Sequence, residues 1–400
     1  MTTFVPAGEA LLPELRTLRR QLHHSPEVGL HLPQTQRAVL DALAGLPIEL
    51  STGTRTTSVT GVLHGSRPGP VVLLRGDMDA LPIREDTGLD YASDNGAMHA
   101  CGHDLHVAAL VGAARLLAAR RESLAGSVVF MFQPGEEGDA GAQVMLEEGV
   151  LEAAGRPVDA AYGTHVYSNR PKGIFQTRPG ALMASSHSLT ITVEGRGGHG
   201  GRPHQALDPV PVLAQIILAI QSYVARQISV FDPVVISVTQ LSSVVPINVI
   251  PSVATLRAEI RALSRENVTK LHEELPRLAS GIASAFGMTA STTFDGSYPV
   301  TINDPAETAN ALRSLRGAFG DERVPELKDP VMGSEDFSYV LERVPGAFIF
   351  LGAQPADVEG EGPSNHSSAA RFDDDVLGDQ AAALAQLAFD RMSDSREEKN

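Results

Sequence analysis

One cysteine stands in 400 residues. A single thiol cannot build an internal disulfide framework, and a reducing compartment, the cytoplasm, is the expected setting. Basic charge is also short. There are 32 Lys and Arg against 48 Asp and Glu, a formal net charge of −16. Without a basic field, neither duplex nucleic acid nor an anionic membrane is an expected partner. Long hydrophobic runs are missing too. The most apolar stretch, Val210 to Ala225, is interrupted by Gln215 and Gln221 and reads as a helix with one buried face. Met1 to Glu14 carries neither a basic segment nor a long apolar one, so no signal peptide is expected there. What is present is ordinary globular material, 42% hydrophobic and 20% charged, enough to build a large core. The length predicts about two or three domains.

The pattern along the chain changes character twice. Leucines at 11, 12, 15, 18 and 22 predict a helix over Leu11 to Leu22, and a second is expected from Gln34 to Leu46. Short continuous apolar runs follow at Val71–Leu74, Val128–Phe132, Ala160–Gly163 and Ala347–Leu351. Such runs suit strands buried on both faces, as in a parallel sheet. A helix from about His103 to Arg121 separates the first two, so strands and helices alternate as in an α/β fold. Ser188–Glu194, Val234–Gln240 and Thr255–Arg261 instead alternate polar and apolar residues, the mark of half-exposed antiparallel strands. With helices expected at Asp208–Arg226 and Arg265–Phe286, they describe a small α+β unit. The expected organisation is therefore a mostly parallel α/β domain, residues 1–182 and 297–400, interrupted by a smaller α+β domain, residues 183–296. The polar tail Ser393–Asn400 is expected to fray.

Chemistry-bearing residues gather behind the buried strands. Asp77 and Asp79 follow the first, Glu136 and Glu137 the second, His165 the third, and His366 comes after the last. Ligands bind beyond the carboxyl ends of parallel strands, so these residues should share one sheet edge. Met98-His-Ala-Cys-Gly-His-Asp-Leu-His106, which opens the long helix, adds the lone Cys101 and His103. Cys, His, Glu and Asp together are a ligand set for zinc, manganese, cobalt or nickel. More than four candidate ligands suggest two ions sharing a bridge. Of the adjacent pair Glu136 and Glu137, one can bind metal while the other stays free as a general base. His99 and His106 look more like packing residues than ligands. Taken singly, each of these residues has a plain alternative: a buried small hydrophobe for Cys101, a solvated pair for the glutamates, turn residues for the aspartates. Their convergence at several strand ends favours the metal reading.

Six motifs occur in order: Gly76-Asp-Met-Asp-Ala-Leu-Pro82, Met98–His106, Gln133-Pro-Gly-Glu-Glu137, Gly197-Gly-His-Gly-Gly-Arg-Pro-His204, Asn248-Val-Ile-Pro251 and Ser334-Glu-Asp-Phe337. Together they resemble the hippurate hydrolase and N-acyl-amino-acid amidohydrolase family. These are dinuclear metallopeptidases related to aminoacylase and glutamate carboxypeptidase, with plant auxin-conjugate hydrolases among them. The resemblance runs from His23 to Asp374. It implies that Cys101 bridges two metal ions and that His103, Glu137, His165 and His366 complete the ligand set. It implies that Glu136 is the general base and that Asp79 orients the site from behind the ligands. His199, in the inserted domain, matches a histidine that polarises the scissile carbonyl, often across a dimer interface. Asn248 and Arg261 match less firmly as grips for a substrate carboxylate. The inserted domain matches the family's lid and dimerisation domain.

The expected activity is metal-dependent hydrolysis of N-acyl amino acids, with N-acetyl and N-benzoyl compounds first among the substrates and a homodimer or higher homo-oligomer as the assembly. A dipeptidase, or a deacetylase of one biosynthetic N-acetyl amino acid, is the rival within the class. A non-catalytic binding protein on the same scaffold is the rival outside it, and the presence of every ligand and of the base argues against it. A cysteine nucleophile is disfavoured, because Cys101 and His103 are two apart at a helix start and do not face each other. The sequence departs from the family's usual residues at Gly135, Gly200, Arg257 and Ser367-Ser368. These changes bear on substrate preference and lid geometry, not on the ligands or the base.

Overall fold

The computed structural model describes residues 3–243 and 245–394. In chain order, α1 (Val5–His24) and α2 (Pro33–Leu43) precede β1 (Glu49–Thr52), β2 (Val59–His64) and β3 (Arg67–Asp77). Then come α3 (His103–Ala118), β4 (Ala125–Gln133), α4 (Gly141–Glu147), β5 (Ala160–Tyr167), β6 (Phe175–Gln176) and β7 (Gly180–Met183). The middle of the chain holds β8 (Ser186–Glu194), β9 (Gly198–His199), α5 (Pro209–Gln227), β10 (Val234–Ser242), β11 (Val249–Ile250), β12 (Val253–Ala262), α6 (Arg265–Ala285) and β13 (Thr289–Tyr298). It closes with β14 (Thr301–Asn303), α7 (Pro305–Phe319), α8 (Ser338–Leu341), β15 (Gly346–Gly352) and α9 (Val376–Asp394).

Two compact units result. The first comprises Met1–Leu182, Ile302–Asp329 and Asp336–Asn400; the second comprises Met183–Thr301 and Pro330–Glu335. The second therefore extends past Gly296. The strand containing that glycine does not end there but shifts register between Asp295 and Tyr298 and continues. The segment Pro330–Glu335, expected with the larger domain, groups with the smaller one.

The first unit is built on a sheet of order β1-β2-β4-β3-β5-β15-β6. Its four central strands run parallel, and antiparallel strands flank them on both sides. The apolar runs sit in the central strands because those strands are covered on both faces. α3 is the extreme case: from His103 to Leu117 every residue but Arg115 is buried. A helix apolar on all sides belongs inside a protein. It lies among α1, α9 and the sheet, with Leu105, Leu110 and Leu117 fully covered. Each such leucine contributes about 1.5–3 kcal/mol. α3 ends at Ala118, so Arg121 falls in a following 3-10 turn instead of the last helical turn.

The second unit packs α5 and α6 on a sheet of order β10-β12-β8-β13. Asp208 caps α5 by accepting the Val210 N–H at 3.0 Å, and Ser264 caps α6 through the Asn267 N–H at 3.1 Å. By length and composition α5 is long and apolar enough to cross a membrane. Its Val212, Leu213, Ile216 and Ile220, however, occupy one helical stripe within the core over that sheet. The α9 helix continues through Asp394, past the start of the tail expected to fray; residues 395–400 of that tail lie outside the described residues.

Candidate metal centre

Five segments of the first unit meet beyond the carboxyl ends of its parallel strands. Cys101 and His103 lie at the start of α3, on either side of Gly102. This glycine has φ +84°, and a Cβ there would stand 2.4 Å from Val166 Cγ2. Only glycine fits both the left-handed backbone and the close approach to β5. Glu136 and Glu137 follow β4 across Gly135, whose φ is +71° and whose absent Cβ would meet Leu30. The departure from the family's usual residue at 135 thus coincides with a left-handed turn. Asp79 then receives both glutamate backbones: the Glu136 N–H at 2.9 Å on one oxygen and the Glu137 N–H at 3.0 Å on the other. His165 comes from the end of β5. His366 comes from the loop after β15 and holds φ +70°, a strain of about 1–2 kcal/mol for a residue other than glycine.

The donor atoms form two groups joined at one sulfur. Potential ligand atoms of Cys101, His103 and His165 lie within 4.8 Å of one another, and so do those of Cys101, Glu137 and His366; Cys101 and His103, expected not to face each other, converge because Cys101 precedes the helix across the left-handed Gly102. Cys101 Sγ is 3.4 Å from His165 Nε2 and 3.3 Å from His366 Nε2. His366 Nε2 is 3.2 Å from Glu137 Oε1. Glu136 joins a third group with His103 and Glu137 and is 6% exposed.

Tautomers follow from the acceptors. His103 Nδ1 donates to the Asp79 carbonyl at 2.9 Å, and His165 Nδ1 donates to the Val166 carbonyl at 2.9 Å. His165 Nε2 is thereby left toward Cys101 Sγ, and His103 Nε2 toward the carboxylates of Asp77 and Glu137. Among the described residues the buried His103 Nε2 makes no hydrogen bond, although Asp77 Oδ2 lies 3.3 Å from it, and Glu137 Oε1 is met by the His366 and His103 rings. Buried polar atoms are rarely left so without a reason. Thiolate, imidazole and carboxylate donors gathered in two groups that share Cys101 fit a pair of divalent ions. His106 is different. It accepts the Val166 N–H on Nε2 at 2.9 Å and donates from Nδ1 to Asp77 at 2.5 Å, so neither nitrogen is free. His99 is buried with neither ring nitrogen bonded.

The electrostatics favour positive charge at this spot. Hydrogen bonds with Cys101 and then Glu137 push His366 up to about 10. Burial works against charge on His103, but Asp77 and the neighbouring hydrogen bonds raise it well above the usual imidazole value. Burial, reinforced by His106, holds His165 well below that value and so neutral. Metal ligation asks for deprotonated ligands and releases protons on binding.

Behind the candidate ligands lies a buried charged layer that the motifs alone did not mark out. Arg75 donates to Asp77 at 2.8 Å, to Gln133 at 2.9 Å and to Asp336 at 3.1 Å. A second layer lies under the Cys-Gly-His-Asp turn: Asp104 is 2.7 Å from both Arg19 Nε and His23 Nδ1, and Arg19 also reaches Asp374 at 3.0 Å. Burial opposes charge on Asp104, yet Arg19 and His23 hold it well below the usual carboxylate range. An arginine inside an otherwise apolar strand run was the available signal for the first layer. The second had its signal in the aspartate that closes the motif.

The other expected site residues belong to the second unit. His199 on β9 pairs with Val249 on β11, and Gly200 N–H donates to the Asn248 carbonyl at 2.8 Å, so the glycine-rich loop and the Asn-Val-Ile-Pro segment are one local structure. A Cβ on Gly200 would lie 3.1 Å from that carbonyl. His199 is exposed, and its Nδ1 accepts the Gly201 N–H at 3.0 Å, which leaves the proton on Nε2. Arg261 on β12 donates from Nε to Glu259 at 2.7 Å, while its buried Nη1 has no hydrogen-bond partner among the described residues.

The sequence and the fold have known counterparts. The family model described as peptidase family M20/M25/M40 matches residues 73–390. Thermostable carboxypeptidase 1 of Saccharolobus solfataricus is 39% identical over 376 residues, covering 93% of both chains. An N-acetylcysteine deacetylase of Bacillus subtilis is 35% identical over 384 residues, covering 96% of this chain and 98% of that protein. Among solved structures, the Bacillus subtilis YXEP protein, a dinuclear metal binding peptidase from the M20 family, superposes with a TM-score of 0.81 at 31% identity, covering 96% of this chain and 99% of that one.

Proposed function

The chain belongs to peptidase family M20/M25/M40 and is a metal-dependent amidohydrolase, and from that premise we propose that it hydrolyses the amide bond of N-acyl amino acids, N-acetyl and N-benzoyl compounds first, to a carboxylate and a free amino acid. The observation that carries the proposal is the pair of donor groups sharing Cys101, with Glu136 beside them. That one relative is a deacetylase of an N-acetylated amino acid supports the same substrate class.

Cys101, His103, Glu137, His165 and His366 would hold two divalent ions, which when bound would supply the positive charge that polarises a carbonyl and makes water a better acid. Glu136 is left to move protons. It takes one from the attacking water as the C–O bond forms and delivers it to the amine nitrogen as the C–N bond breaks. Asp79 fixes Glu136 and Glu137 through both their backbone N–H groups. His199, with its proton on Nε2, donates to the carbonyl oxygen as that oxygen gains charge. Asn248 and Arg261 grip the substrate carboxylate, Arg261 through the Nη1 that has no hydrogen-bond partner among the described residues.

The working form is a homodimer or higher homo-oligomer. In its support, β10 is an edge strand of the second unit. Leu218, Phe231, Leu241 and Ile247 of that unit are 71%, 95%, 63% and 105% exposed, and large exposed apolar residues beside an open sheet edge suit a protein partner. The cytoplasm is the proposed location, in keeping with one free cysteine.

Free-amine release from N-acetyl and N-benzoyl amino acids and dipeptides tests this reading, with chelator-treated protein assayed with and without manganese, zinc or cobalt. Turnover restored by metal, highest on N-acyl amino acids, supports it. Turnover on dipeptides alone would move the assignment to a dipeptidase. Tight metal uptake with no turnover on any substrate would favour a binding protein.

A further inference from the structure

We infer that Asn365 is a positioning residue that locks Cys101 and His366 into the shared metal centre. The inference rests on the ligand set proposed above. It starts from a problem the fold has to solve. His366 sits on a loop, its side chain is 54% exposed, and its backbone is held at φ +70°. A strained backbone persists only where its surroundings over-determine it. A ligand supplied by such a loop needs something to fix it before the ions arrive.

The Asn365 carboxamide does this with all its polar groups. Its Oδ1 accepts the Ser168 backbone N–H at 2.9 Å and lies 3.0 Å from the Ser168 hydroxyl. Its Nδ2 donates to the Val166 carbonyl at 2.9 Å and to the Cys101 carbonyl at 3.3 Å, and lies 3.8 Å from Cys101 Sγ. The next residue continues the latch, since the His366 N–H donates to the Ala100 carbonyl at 3.0 Å. Residues 365 and 366 are thus fastened to residues 100 and 101, and one side chain spans the end of β5, the cysteine turn and the histidine loop. Ser168 strengthens the span by donating to the Pro363 carbonyl at 2.7 Å.

The contacts select asparagine. Aspartate keeps the acceptor toward Ser168 but turns a carboxylate toward two carbonyls and the sulfur. Leucine or alanine leaves those acceptors without a donor. The Nδ2 contact with the sulfur also places a donor beside the atom that both donor groups share, where it offsets part of a thiolate's charge. Residues in this relation to metal ligands set affinity by orienting them.

Cobalt titration of metal-free protein tests the role without relying on activity. Wild type is expected to bind two equivalents and to show a sulfur-to-cobalt charge-transfer band that Cys101→Ser abolishes. Asn365→Ala and Asn365→Asp are expected to weaken one equivalent by about 10–100-fold and to shift the band, beyond any change in the metal-free thermal midpoint. Ser168→Ala should show a smaller effect in the same direction. Wild-type affinities and an unshifted band in both Asn365 variants would overturn the inference. So would a lowered metal-free midpoint with unchanged cobalt binding, which is the signature of a purely structural residue. A wild-type chain that binds cobalt with no sulfur band would instead remove the ligand reading and the positioning role along with it.

Discussion

Gly102→Ala is the most demanding test of how the metal ligands are placed. The substitution adds one methyl group in a backbone conformation with φ +84°, where the new Cβ would lie 2.4 Å from Val166 Cγ2 and 3.1 Å from the Phe372 ring. The left-handed conformation costs about 1–2 kcal/mol for alanine. Overpacking against a buried strand adds about 1–3 kcal/mol. The sum, about 2–5 kcal/mol, is a large share of the stability of a domain. The alternative is for the turn to move, which carries Cys101 and His103 apart, because the glycine is the only residue between them. Gly45→Ala is the control: φ is +81° there and nothing lies within 4 Å of the added methyl, so only the backbone cost applies. Urea denaturation of the metal-free proteins, with a count of bound metal, reads both effects. The expected result is that Gly102→Ala loses at least about 1 kcal/mol more than Gly45→Ala, or binds fewer than two equivalents of metal. Equal stability losses with full metal binding would refute the packing argument.

Other outcomes follow from the buried charges and the open faces. Arg19→Met leaves Asp104 buried with part of its compensation gone and should cost about 3–5 kcal/mol; Arg19→Met with Asp104→Asn should recover part of that in the same denaturation assay. Burial, aided by His272 and Arg261, pushes His187 down to about 4. Its unfolded form takes up a proton near pH 6.5 that the folded form refuses until about pH 4, so its contribution is complete above pH 6.5 and lost as pH falls toward 4. Denaturation midpoints between pH 7 and pH 4 should therefore fall less steeply in His187→Leu; an unchanged slope contradicts the assignment. Leu218→Glu with Leu241→Lys should reduce the solution mass measured by light scattering to that of one chain, whereas an unchanged oligomer would place the interface elsewhere. If His199 acts across that interface, mixing His199→Ala with Glu136→Ala subunits should restore part of the turnover after exchange.

Much of this was legible because its signals are local. A buried parallel strand announces itself by an unbroken apolar run, and Val128–Phe132 and Ala347–Leu351 are both central strands. The edges were harder to read. β2 pairs antiparallel with β4, yet its Gly61 and His64 break the apolar pattern that marks the centre. Helix ends were blurred for the same reason, as where α1 begins at Val5 and carries Pro13 inside it. The candidate ligands stood out because chemistry restricts metal binding to a few residue types. Their supports did not, since an arginine such as Arg75 or an amide such as Asn365 has many surface uses, and only the tertiary contacts show what it holds. His187 gave no warning: on a strand of alternating pattern it occupies the core face, and its burial depends on α6 packing over it.

At the centre of the proposed function, two metal ions are held around Cys101 and Glu136 carries the proton transfer. The most direct test is Glu136→Gln, with bound metal and turnover of an N-acetyl amino acid measured on the same sample. The account predicts two equivalents of metal retained and turnover reduced by about 10²–10⁴-fold. Turnover within tenfold of wild type would contradict it, and loss of a metal equivalent would make Glu136 a ligand instead of the base.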